Sequence, residues 1–110
     1  MVELILSTIG LFLFAALLEV GGGYFVWKWL RDNKGKFFGL VGALFLFSYG
    51  IIPTFQPADF GRVYASYGGI FIIVSVMWGY WIDKKKPDRF EIIGSLIVLI
   101  GVAVMFYFPR

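Results

Sequence analysis

The sequence predicts an all-α membrane protein with four transmembrane helices, and three observations carry that prediction. Hydrophobic residues make up 60% of the 110 positions, and the mean hydropathy of +0.84 is far too high for a soluble domain of this size. The apolar residues fall into four runs, about 4–30, 37–55, 61–82 and 92–108, each near the ~20 residues that a helix needs to cross a hydrocarbon core. The segments between the runs are short and hold the breakers Gly35, Pro57 and Pro87. Helices are the expected form because lipid offers no water to satisfy open backbone groups. One four-helix transmembrane domain over 1–110 follows, with no polar segment long enough to form a soluble active site.

The first run is longer than one crossing requires. It lacks a basic leader region, carries Glu3, and continues without a signal-peptidase site, so it reads as an uncleaved span. In the second run Pro53 is expected to end or kink the helix near the surface. The third opens with GRVYASYGG, and the fourth contains Gly94 and Gly101, two turns apart, which allow a helix–helix seam.

Charge sets the expected orientation. Lys28, Arg31, Lys34, Lys36, Lys84, Lys85, Lys86 and Arg89 flank the first and third connections, eight cations against Arg62 and Arg110 on the other side. That bias places both basic connections in the cytoplasm and both termini outside. The pI of about 9.3 therefore reflects topology signals and contact with a lipid bilayer, not a nucleic-acid partner. Trp27, Trp29, Trp78 and Trp81 fall near the same ends, where amphipathic rings prefer the headgroup region. With no Cys and no His, thiol chemistry and a zinc site drop out. No cofactor, no metal and no enzymatic activity are expected.

One residue breaks the pattern. Glu19 lies near the middle of the first apolar run, where a charge costs about 2.5–3.5 kcal/mol on insertion scales and usually faces a protein interior or a water-filled cavity. At helical spacing Ala15, Ala16, Gly22 and Gly23 share its face. Such small residues allow a helix to approach closely and leave room for a ligand.

In the third run Gly61, Ala65 and Gly69 repeat every four residues, a small-residue ridge for helix contact. Tyr64, Tyr67, Phe71 and Trp78 form an aromatic stripe on another side, and aromatic faces attract cations. Tyr64 and Tyr67 also carry hydroxyls that need partners when buried, for which Glu19 is the natural acceptor. Arg62, at the mouth of this helix, is a possible gate residue paired with Asp59 or Glu3.

Glu19, Gly22 and Tyr24, followed by Trp27, Trp29, Leu30 and Arg31, together with the block from Gly61 to Gly69, resemble the YnfA-like family of small four-helix inner-membrane proteins. That family is similar in turn to the small multidrug resistance transporters. The resemblance covers nearly the whole chain and implies a homodimer that exports small organic cations, of quaternary ammonium or aromatic type, in exchange for protons. It implies one membrane carboxylate per subunit shared by proton and substrate, a position Glu19 resembles. Tyr64 resembles a substrate-lining tyrosine, whereas Tyr67 stands where the multidrug transporters carry tryptophan. The stretch from Ile93 to Val102, with Gly94 and Gly101, is similar to their dimerisation segment. The alternatives are a structural or regulatory membrane subunit that transports nothing, and a channel or lipid-handling protein.

The charge bias predicts one orientation, while the antiparallel pairing implied by the resemblance requires two. Because the chain has no native Cys, labelling tests this directly. A cysteine at Asn33 is expected to stay unreachable from outside intact cells, and one added after Arg110 to label fully. Comparable outside labelling at both positions would establish dual insertion.

Overall fold

A computed structural model describes residues 2–110 and is all-helical, with no strand among the described residues. The elements are α1 (Val2–Leu30), α2 (Lys36–Ile51) continuing into a 3-10 turn (Ile52–Phe55), α3 (Phe60–Trp81), and α4 (Arg89–Val102) continuing into a π-helical turn (Ala103–Tyr107). With their terminal turns included, all four helices are long and apolar enough to cross a membrane.

The boundaries show what stops each helix. Proline at 53 has no N–H to continue the α pattern, so α2 ends at Ile51 and tightens into the 3-10 turn, as expected from its position. The last helix begins at Arg89, three residues before the apolar run at 92. Asp88 accepts from the Glu91 N–H at 2.8 Å while the Glu91 side chain reaches back to the Asp88 N–H, a capping box that starts the helix in polar sequence. At the other end the π turn is tied by Arg110, whose Nη2 donates to the Met105 carbonyl at 2.6 Å.

The chain divides into two compact units, residues 1–56 and 57–110. Each is a helix hairpin. In the first, α1 and α2 meet at two glycines: a Cβ at Gly42 would lie 2.7 Å from the Gly22 carbonyl oxygen, and one at Gly22 would lie 2.8 Å from Leu46 Cγ. Nearer the turn Gly39 lies against the Trp29 ring, while Phe25 packs against Phe38 at 5.9 Å and edge-on to Phe45 at 5.5 Å. In the second hairpin Gly69 of α3 receives Val98 and Val102 of α4.

Both hairpin turns use one backbone device. Asn33 and Lys84 each adopt a left-handed conformation, with φ of 56° and 59°. In each case the next N–H turns back to a helix carbonyl six residues earlier, Lys34 to Lys28 and Lys85 to Gly79, both at 2.9 Å. These bonds satisfy carbonyls that the helix ends leave open.

The Gly22–Gly42 contact has no space for a side chain. Gly42→Leu is expected to cost about 1–3 kcal/mol by overpacking, read as a lower thermal midpoint in detergent. Gly23→Leu should melt with the wild type, because a Cβ there meets nothing within 4 Å. Equal midpoints for all three proteins would show that α1 and α2 are not held by this crossing.

Candidate functional site: a span carboxylate and an aromatic ladder

Of the seven acidic residues, Glu3, Asp32, Asp59, Asp83, Asp88 and Glu91 lie in the first turn of α1, at the other helix ends or in the turns, and Glu19 alone lies deep inside a helix. It is half-buried. Its face of α1 is set by helical geometry: Thr8, Phe12, Ala15 and Ala16 are all buried to 2% exposure or less, and Gly22 follows on the same side. The small neighbours serve two different ends. Gly22 is consumed by the crossing with α2, whereas Gly23, one turn above Glu19, is exposed with open space around it. Room beside the carboxylate is therefore left on the Gly23 side, and the Gly22 side is closed by Gly42, Phe45 and Leu46.

Toward its end α1 carries charge, turned away from the Glu19 face. Lys28 Nζ sits 4.9 Å from the centroid of the Tyr24 ring and 3.5 Å from Asp32, and the Arg31 guanidinium lies 4.6 Å from the Trp27 ring. These pairings keep the Lys28 stem along the helix with its ammonium directed to the turn, the snorkelling geometry of a cation near a membrane surface.

In the second hairpin the expected aromatic stripe is a ladder. Ring centroids are 6.5 Å apart from Tyr64 to Tyr67 and 6.0 Å from Tyr67 to Phe71. Phe60, which sequence reasoning misses, extends it by stacking 4.4 Å from Tyr64; its place one turn before Tyr64 is the signal that could have found it. Exposure falls from 75% at Phe60 to 4% at Tyr67, so the rings lead from an exposed helix start to a buried position. Such rings hold flat or cationic groups through their π faces.

The small-residue ridge of α3 divides. Gly69 is filled by α4, but an added Cβ at Gly61 would meet nothing within 4 Å, and Ala65 is exposed. The buried face carries Val63, Ser66, Tyr67, Gly69 and Val74 instead. Asp59 precedes the helix without a side-chain cap bond, and among the described residues it forms no ion pair with Arg62. Gly94 and Gly101 are also open within one chain, so neither is demanded by the packing of its own hairpin. The structure thus places Glu19 with Ala15, Ala16, Gly22 and Gly23 on the first hairpin, and Tyr64, Tyr67 and Phe71 together on the second. No group of three or more potential metal-binding side chains occurs among the described residues.

Comparison with known proteins gives a consistent result. The family model described as "Uncharacterised BCR, YnfA/UPF0060 family" matches residues 5–110. A UPF0060 membrane protein of Clostridium beijerinckii is 54% identical over 108 residues, covering 96% of this chain and 97% of its own. The UPF0060 membrane protein YfjF of Bacillus subtilis is 55% identical over 108 residues, covering 97% and 99%. One from Herpetosiphon aurantiacus is 48% identical over 102 residues, covering 91% and 93%. No solved structure matches.

If the ladder is a binding surface, Tyr67→Ala should weaken binding of an aromatic cation by about twofold to thirtyfold, the span of one cation–π contact. Quenching of intrinsic tryptophan fluorescence in detergent-solubilised protein measures it. Unchanged affinity would return the four rings to packing.

Proposed function

Since the chain belongs to the YnfA/UPF0060 family of membrane proteins, we propose that it exports small organic cations in exchange for protons, with Glu19 as the carboxylate that both occupy in turn. The observation that carries this reading is the placement of Glu19. It is the acidic residue held deep in a membrane-spanning helix, half-buried, with open space on its Gly23 side. Intramembrane carboxylates that face such space mark ion and substrate pathways.

Coupling then follows from competition. A proton neutralises the carboxylate and an organic cation pairs with it, so each displaces the other. Exchange requires that the loaded forms switch between the two sides of the membrane and the empty ionised form does not. The ladder from Phe60 to Phe71 supplies the second half of recognition, a set of π faces for aromatic or quaternary ammonium groups. A homodimer, with the Gly94–Gly101 side of α4 as its seam, would give two copies of each part and a larger enclosure than four helices provide. The expected setting is a bacterial inner membrane with both termini outside.

Glu19→Gln keeps the side-chain shape and removes the titrating proton. In proteoliposomes carrying a proton gradient it is expected to reduce uphill cation exchange to background while the protein remains folded, and Glu19→Asp should shift the pH dependence. Full coupled exchange by the Gln variant would exclude Glu19 as the coupling site. A wild-type protein that exchanges no cation would favour the assembly or channel readings.

A further inference from the structure

The turn between α3 and α4 holds Lys84, Lys85, Lys86 and Arg89, all of them exposed. Both helices are long and apolar enough to cross a membrane, so the turn that joins them lies at the membrane surface. None of these four cations forms an ion pair among the described residues. Two of the nearby acids are committed to starting α4: Asp88 accepts from the Glu91 N–H at 2.8 Å, and Glu91 Oε1 accepts from the Asp88 N–H at 3.4 Å. The turn between α1 and α2 differs. There Lys28 pairs with Asp32 at 3.5 Å and Arg31 covers the Trp27 ring, which leaves Lys34 and Lys36.

Two of the four cations stand where local physics disfavours them. Lys84 has φ of 59°, a backbone region that glycine enters at lower cost. Arg89 opens α4, at the helix end whose dipole repels a cation. A lysine just past the end of α3 does gain from the dipole of that helix, but the gain is short-ranged and does not account for three in succession. Apolar side chains flank the same turn. Trp81 and Ile82 at the end of α3 and Phe90 at the start of α4 are exposed, and the Arg89 guanidinium lies 5.0 Å from the Phe90 ring. Uncompensated cations suited to phosphate thus sit beside rings suited to the headgroup level of a bilayer.

We propose that the α3–α4 turn is a binding surface for anionic phospholipid, with the phosphate-bearing headgroup held by Lys84, Lys85, Lys86 and Arg89 and the adjoining lipid body against Trp81 and Phe90. The surface lies wholly within the second hairpin and does not depend on the reading of Glu19.

Two double variants of equal charge change separate a site from general attraction. One is Lys85→Gln with Lys86→Gln, and the other, in the first turn, is Lys34→Gln with Lys36→Gln. Native mass spectrometry of the full chain in detergent measures the Kd for dioleoylphosphatidylglycerol and for dioleoylphosphatidylcholine, and thermal midpoints are recorded for each protein. The wild type is expected to bind phosphatidylglycerol about tenfold or more tightly than phosphatidylcholine. A lysine near an anionic lipid surface contributes about fivefold, so the 85/86 variant should lose about 25-fold in phosphatidylglycerol affinity while the 34/36 variant changes little. Lys84→Gly should melt at or above the wild type, because it relieves the left-handed residue, and still bind phosphatidylglycerol about fivefold more weakly. Equal affinity of the wild type for the two lipids, unchanged affinity in the 85/86 variant, or equal losses in both double variants would overturn the proposal. Displacement of the lipid by inorganic phosphate would assign the charges to a small anion and overturn it as well.

Discussion

Helices in lipid gain nothing from hiding apolar surface from one another, because the surrounding acyl chains are equally apolar. What holds them is close approach. The crossing of Gly22 over Gly42 is that constraint in the first hairpin, and much of α1 is arranged by it. Once Gly22 faces α2, helical periodicity places Ala15 and Glu19 on nearly the same side and leaves Gly23 turned outward into open space. The carboxylate is thereby held half-buried beside a close contact without being sealed by it. In the second hairpin Gly69 has the same role, receiving two valines, and the aromatic ladder occupies roughly the opposite side of α3.

Much of this is readable from residue order. Four runs of apolar sequence have one stable solution in a membrane, and Pro53 announces the end of α2 by its missing N–H. Glu19 stands out because a charge inside a span is costly, and Tyr64, Tyr67 and Phe71 because their spacing fits one helix side. The features that escape are those set by a partner at long sequence distance. Nothing near Gly42 says that it will meet Gly22, and Gln56 reads as an ordinary loop residue until the turn at Pro53 brings it against Thr8. Lys84 is a poor candidate for left-handed backbone by type, unlike Asn33; the α3 terminus imposes it. The early start of α4 is hidden because the apolar run begins at 92, while the capping residues that begin the helix are polar.

The two hairpins also divide the chemistry. The carboxylate and the Gln56–Thr8 contact belong to residues 1–56, and the π surface belongs to residues 57–110. On the cation-exchange reading proposed above, substitutions in one hairpin would alter charge recognition and substitutions in the other ring recognition.

The self-contained seams bear on how the chain is made. The contacts that close the first hairpin, from Gly22 against Gly42 to Gln56 on Thr8, all involve residues before position 57. They span 20 and 48 residues but lie wholly within the first half of the chain, so they can close before the second half is made. The first pair of helices holds every partner for those contacts by the time residue 56 has left the ribosome and entered the membrane. Glu19 therefore enters the membrane on a helix whose seam with α2 can already be closed.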